Sequence, residues 1–138
     1  MDETLSREEV LALDDREGEW VTVPEWKGRR FYVAPMDGES RNIWDRDMLS
    51  LRGGSLALNG ENIDARLVAL TVVDPETKER LFTLEDVEAL GKKNSRALKR
   101  LADVGARLSG LDTEAISQLT ELLSKVRGSS SGAVSPSR

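Results

Sequence analysis

The chain has 138 residues and a formal net charge of −5, and it is 38% hydrophobic and 33% charged. This length fits one domain, and the composition supplies enough apolar material for one core. The sequence contains neither cysteine nor histidine. These absences exclude thiol nucleophiles, disulfides, and metal or acid–base sites built on thiolate or imidazole groups.

An enzyme with this composition would have to work with carboxylates, lysines or hydroxyls alone. The adjacent carboxylates Asp14-Asp15 and Glu85-Asp86 are better explained as features of helix ends than as acid–base or cation sites. No glycine pair has the spacing of a phosphate-binding loop. We therefore predict a protein that binds rather than catalyses, with no catalytic residue, cofactor or metal.

Charge is divided unevenly along the chain. Residues 1–19 carry eight acidic side chains against two arginines, whereas residues 92–107 carry six basic side chains against one aspartate. A solvated face, an acidic protein partner and nucleic acid are alternatives for the basic segment, and the net acidic charge argues against nucleic acid. The opposed charges lead to the hypothesis that copies associate head to tail through contacts that weaken with salt. The residues assigned to this contact are Glu8, Glu9, Asp14, Asp15, Arg96, Lys99, Arg100 and Arg107.

The first third of the chain predicts a helix and then a β-hairpin. Ser6 and Glu9 have the spacing of a capping box, which predicts a helix over 6–13 within an acidic N-terminal segment, 1–17. Two runs of β-branched and aromatic residues, 20–24 and 30–35, predict a hairpin within 18–36. A polar helix is then expected from about residue 37 to about residue 51.

The remaining segments are mainly helical by pattern. Residues 62–74 are the least polar, and their periodicity leaves helix and strand open for 67–73. Helices are predicted over 83–90 and 94–109, and a last one runs to about Arg127. We predict a mainly α, α+β fold: an N-terminal β-hairpin on a bundle of four to five short helices. A single domain would span 1–127, with 37–127 its helical part, and the Gly/Ser-rich segment 128–138 would be a disordered tail.

No segment approaches the ~20 apolar residues that a membrane-spanning helix needs. The acidic start is also unlike the basic and then apolar opening of a secretory signal. The sequence therefore predicts a soluble protein of the cytoplasm without a membrane partner.

Three segments together resemble a known family. They are 64–74 (DARLVALTVVD), 80–93 (RLFTLEDVEALGKK) and 98–111, and they follow Val23-Pro24-Glu25-Trp26 in a valine-rich region. Their order and spacing are similar to those of the tail assembly chaperones of long-tailed bacteriophages and related prophages, which are encoded before the tape-measure protein. The resemblance covers roughly residues 18–125 and is best over 64–111.

The resemblance implies a function and partners. Members of this family bind the tape-measure protein, a long helical chain, and keep it soluble until tail-tube subunits displace the chaperone. Many members also have a longer, frameshifted form that recruits the tail-tube protein. A homo-oligomer in the host cytoplasm, absent from the mature virion and without nucleic-acid or membrane partners, is therefore expected.

A holdase needs apolar surface that a helical client can contact. The candidate residues for this contact are Trp20, Trp26, Tyr32, Trp44, Ile116, Leu119, Leu123 and Val126. Packing in the protein's own core is the alternative for each of them. Two other functions remain open: a tail or connector protein retained in the virion, and a small helical DNA-binding regulator.

Overall fold

The computed structural model describes residues 4–52, 55–58, 62–111 and 114. The helices are α1 (Arg7–Leu11), α2 (Gly38–Met48), α3 (Ile63–Thr71), α4 (Val87–Leu90) and α5 (Ser95–Leu108). The strands are β1 (Glu19–Val23), β2 (Arg29–Val33), β3 (Leu49–Arg52), β4 (Ser55–Leu58) and β5 (Val72–Val73). This is the mainly α, α+β fold that the sequence predicts. The predicted last helix, with Ile116, Leu119, Leu123 and Val126, and the predicted tail 128–138 lie outside the described residues.

The predicted capping box begins helix α1. The backbone N–H of Glu9 donates to Ser6 Oγ over 3.1 Å, and the backbone N–H of Ser6 donates to Glu9 Oε1 over 2.8 Å. The helix ends at Leu11, two residues before the predicted end, and none of its residues is buried. Local hydrogen bonds therefore define α1 without help from the core.

The predicted hairpin consists of β1 and β2, with Val21 opposite Phe31. A 3₁₀ turn over Pro24–Trp26 connects the strands. Lys27 and Gly28 then reverse the chain with positive φ angles of 63° and 66°. Glycine adopts such angles without steric cost, whereas the Cβ of lysine makes them sterically unfavourable. The turn thereby fixes the position of Trp26 at the tip of the hairpin.

A third strand, which lies in the segment left open between helix and strand, completes this sheet. β5 pairs antiparallel with β2, so that Tyr32 lies opposite Val73 and the strand order is β1-β2-β5. Residues 67–73, for which helix and strand were both open, thus contain both. Helix α3 ends at Thr71 and the next two residues join the sheet.

Helix α3 lies in the middle of the core and packs against α5. Leu67, Leu70 and Leu101 are the largest fully buried side chains. In α5, Leu98, Leu101, Ala102 and Gly105 are buried. The contact between α3 and α5 therefore holds the sheet and the helices together.

Two predicted helices differ from the structure. The helix predicted to reach about residue 51 ends at Met48, and β3 and β4 pair as a second hairpin, with Leu49 opposite Leu58. Ladder hydrogen bonds between these segments replace the helical bonds that the prediction assumed. The helix predicted over 83–90 is a 3₁₀ turn at Leu84–Asp86 followed by α4. In the described part of the chain, no helix is both long and apolar enough to cross a bilayer.

Asp64 gives the fold a specific pH dependence. Burial raises the pKa of this carboxyl above its ordinary value of 3.8, and Lys99 only partly opposes that shift while Asp103 adds to it. Because the folded pKa is the higher one, the ionised carboxylate costs stability as the pH rises through that value. We expect Asp64→Asn to raise the free energy of unfolding at pH 7, and this gain to disappear below pH 3.8. Urea denaturation at pH 7 and below pH 3.8 measures the difference in free energy of unfolding between the variant and the unmodified chain. A gain that is the same at both pH values would contradict the raised pKa of Asp64.

Candidate functional site

The predicted aromatic contact residues occupy three different environments. Trp44, on α2, is only 5% exposed and belongs to the hydrophobic core. Its assignment to a partner contact is therefore corrected: the ring packs against the protein's own interior. Trp20 and Tyr32 lie on the outer face of the hairpin, and Trp26 lies at its tip.

The outer face of the hairpin carries a small, internally packed aromatic cluster. The Trp20 and Tyr32 rings meet edge to face, with centroids 5.2 Å apart. The Arg30 guanidinium lies 4.2 Å from the centroid of the Trp20 ring. The Tyr32 hydroxyl accepts a 2.7 Å hydrogen bond from the backbone N–H of Gly18. Trp20 is nevertheless 47% exposed, so this cluster offers one partly covered ring to a partner.

An apolar groove of about 420 Å³ lies beside the hairpin tip. Four apolar side chains and three charged ones line it: Glu25, Trp26, Lys27, Phe31, Phe82, Leu90 and Lys93. The rings of Trp26 and Phe31 meet edge to face, with centroids 5.5 Å apart. Leu90 is buried, whereas Trp26, Phe31 and Phe82 are partly buried and pack against the core. This set, called the apolar groove below, presents apolar surface to solvent and is backed by the hydrophobic core.

Two separate parts of the chain build the apolar groove. The hairpin tip supplies Trp26 and Phe31, which the left-handed Lys27-Gly28 turn holds in place. The segment around α4 supplies Phe82 and Leu90. The position of this segment is set by the Thr83 cap, where the backbone N–H of Thr83 donates to Asp86 Oδ2 over 2.8 Å.

The charged residues of the apolar groove differ in their partners. Glu25 Oε2 accepts a 3.0 Å hydrogen bond from Arg100, which lowers the pKa of this carboxyl, while Oε1 is buried without a hydrogen-bond partner. Lys27 and Lys93 are exposed and form no ion pair with any described residue. Because Glu25 is neutralised within the chain, the two lysines give the groove a positive edge. Apolar ligands that carry acidic side chains fit it best.

Much of the predicted self-association surface is already paired within one chain. Arg107 bonds Glu19 over 2.8 Å, Arg100 bonds Glu25, and Lys99 pairs with Asp103 over 3.2 Å. The basic face of α5 thus neutralises acidic residues of its own hairpin and helix. The backbone N–H of Arg96 donates to Asn94 Oδ1, but its guanidinium makes no hydrogen bond or ion pair with the residues described. Among the four predicted cations of α5, its side chain is therefore the one left for other contacts.

On the acidic side, the predicted residues also have local partners. Glu8 lies 3.8 Å from Arg7, Glu9 serves the capping box, and Asp14 pairs with Lys78 over 3.2 Å. For Asp15 no such bond occurs with the described residues. The opposed charges of 1–19 and 92–107 are therefore balanced in part within the chain, which weakens a purely electrostatic head-to-tail contact.

A larger, polar cavity of about 650 Å³ lies on the side of Phe82 towards Arg16. Several of its polar groups form a network: Arg16 lies 3.9 Å from Asp37, Asp37 accepts from the backbone N–H of Ser40, and Arg80 donates to the Ser40 hydroxyl. This network is structural, because it ties the segment after α1 to α2. The residues described hold no group of three potential metal ligands.

Sequence reasoning found only one residue of the apolar groove. Trp26 was predicted as a contact residue, but the other six were not: Glu25, Lys27, Phe31, Phe82, Leu90 and Lys93. The Phe82–Thr83 boundary was recognised as a helix start, and a half-buried phenylalanine before a capped turn is the pattern that could have pointed to this surface. Comparison of the chain with protein-family models, with curated proteins and with solved structures finds no match in any of them.

Proposed function

We propose that this protein is a tail assembly chaperone of a long-tailed bacteriophage or prophage. It binds apolar helical segments of the tape-measure protein, keeps that protein soluble, helps recruit tail-tube subunits and is then released. The resemblance over 64–111 supports the family. The apolar groove supports the way in which the client is held.

The observation that carries this proposal is an apolar groove edged by two lysines without partners in the described chain. An amphipathic helix lays its apolar face into such a groove, and its acidic residues meet the lysines. Trp26, Phe31 and Phe82 offer edges and faces of rings, which accommodate varied aliphatic side chains. A shallow site of this kind suits a long client with many similar segments, each of which binds modestly and can be displaced.

The proposal extends to the cellular location of the protein and to its further partners. It works in the host cytoplasm as a homo-oligomer, and a longer form recruits the tail-tube protein. It is absent from the finished virion. Protein analysis of purified particles distinguishes it from a tail or connector component, because a retained component would be found there in fixed copy number.

Reversing the charge of the groove edge is expected to weaken client binding. The variant Lys27→Glu/Lys93→Glu replaces two attractions by two repulsions, and at ~1 kcal/mol for each exposed pair we expect a loss of about tenfold or more. The measurement is recovery of the neighbouring tape-measure protein with the tagged full chain after co-expression, followed by titration with tape-measure fragments.

The matched control is Arg29→Glu/Lys92→Glu. It makes the same change in net charge at exposed residues that lie within two positions of groove residues but do not line the groove. We expect this control to bind the client within about threefold of the unmodified chain, since long-range charge effects are screened. Equal binding by both variants would contradict the proposed site.

A further inference from the structure

Exposed apolar side chains are concentrated near the start of the chain. Of the seven large hydrophobic residues that are exposed in the described structure, four lie within residues 5–13. They are Leu5, Val10, Leu11 and Leu13, each at least 50% exposed. No residue of α1 is buried. Val10 and Leu11 lie on α1, and Leu5 and Leu13 flank it within two residues on either side. Such a concentration of exposed apolar side chains marks a surface for contact with another molecule.

The segment that follows α1 is fixed to the body of the protein. Arg16 Nε donates to the Pro35 carbonyl over 3.0 Å and its Nη1 donates to the Lys78 carbonyl over 3.4 Å. Asp14 pairs with Lys78 over 3.2 Å. These bonds place α1 beside the base of the hairpin, with its apolar side chains directed to solvent.

We propose that α1 of one copy docks in the apolar groove of a second copy of this chain. The inference rests on the proposed function, because it gives the client's groove a second occupant. The complementarity is chemical: α1 with its flanking residues Leu5 and Leu13 carries four exposed apolar side chains. Glu8 and Glu9 also stay exposed despite their local contacts. The groove combines apolar walls with two exposed lysines. The sequence placed the basic side of the head-to-tail contact on α5, but most of the cations assigned there are paired within the chain. We therefore assign the basic side of the contact to the lysines at the groove edge.

The exposure of α1 favours a second copy over the helix's own groove. Val10 and Leu11 are 51% and 67% exposed and α1 contains no buried residue, so in the described structure the helix does not occupy the groove of its own chain. The segment that follows α1 is bonded near Pro35 through Arg16, whereas Trp26 of the groove lies at the opposite end of the hairpin.

Docking of this kind is head to tail, so a bound pair still offers one free helix and one free groove, and further copies can add to it. It also makes α1 a competitor of the client. Without client, the groove of one copy would be occupied by α1 of another, and a tape-measure helix would displace that α1.

A complementation experiment tests this with the full-length chain. The helix variant Val10→Ser/Leu11→Ser keeps its groove, and the groove variant Lys27→Glu/Lys93→Glu keeps its helix. Sedimentation at low salt is expected to show the unmodified chain growing in mass with concentration, each variant alone remaining monomeric, and their mixture forming a one-to-one complex. Leu81→Ser, at a similarly exposed leucine outside α1, serves as the control and should associate as the unmodified chain does.

Two results would overturn the docking proposal: no complex in the mixture, or an unmodified chain that stays monomeric at every concentration. Measuring client binding by the same variants distinguishes failure of the docking proposal from failure of the proposed function. Monomers that still bind the tape-measure protein through the groove would refute only the self-docking. Association without client binding would refute only the chaperone function. If both proposals hold, the helix variant binds client severalfold more tightly than the unmodified chain, since its competitor has been removed.

Discussion

Replacing Trp44 with alanine is expected to destabilise the protein by about 3–5 kcal/mol. The side chain is 5% exposed and belongs to the core cluster, together with Met48 and Ile63. Its loss leaves a cavity among elements that include the central helix α3, which cannot move to fill it. Since a domain of this size is held by only ~5–15 kcal/mol, this one substitution removes a large share of the stability.

Trp20→Ala is the matched control, because the same substitution is made at a tryptophan that is 47% exposed. Trp20 contributes an edge contact with Tyr32 and a cation–π contact with Arg30, so we expect a loss of about 1 kcal/mol. Denaturant unfolding followed by circular dichroism measures both. Similar losses for the two variants would contradict the placement of Trp44 in the core.

Gly105→Ala is expected to destabilise the protein by about 1–3 kcal/mol, although alanine is the better helix former by ~1 kcal/mol. An added Cβ would lie 2.8 Å from Thr71 Cβ and 2.9 Å from Thr71 Cγ2. Thr71 is fully buried and its hydroxyl donates to the Leu67 carbonyl over 2.5 Å. The added methyl group would therefore push α5 away from α3.

Two further comparisons test whether this steric clash causes the loss of stability. Gly38→Ala is the control, because an added Cβ there meets nothing within 4 Å, and we expect no loss of stability. In a Thr71→Ala background, which removes part of the obstruction, Gly105→Ala should cost at least ~0.5 kcal/mol less than in the unmodified chain. Additive effects in this double-mutant cycle would contradict a steric origin. Thermal and urea denaturation of the four proteins provide the measurement.

Elements defined by local chemistry were predictable from sequence. The capping box at Ser6 and Glu9 needs only neighbouring residues, and the hairpin and the amphipathic α5 show patterns within single segments. β5 has two residues and exists only because β2 offers it a partner. The pairing of β3 with β4 likewise overrode a helical reading of residues 49–51. Such strands depend on contacts that no local pattern contains.

The apolar groove was mostly unpredictable for the same reason. Trp26 and Phe82 come together only after the chain has folded around α3. The pairing of Arg107 with Glu19, 88 residues apart, cannot be read from the charge of either segment. The sequence shows the two charge blocks, but not that several of their side chains pair within the same chain. Burial of Trp44 is a further tertiary effect, because its own segment is polar.

Occupation of the apolar groove by a tape-measure helix is tested most directly by site-specific photocrosslinking. The photoreactive amino acid p-benzoylphenylalanine replaces Lys93, which lines the groove, or its neighbour Lys92, which does not. The full chain is then irradiated in cells that co-express the tape-measure protein. We predict a strong crosslink from position 93 to apolar helical segments of the tape-measure protein, and little or none from position 92. Equal yields at the two positions, or no tape-measure crosslink from position 93 although the two proteins copurify, would contradict the groove as the client site.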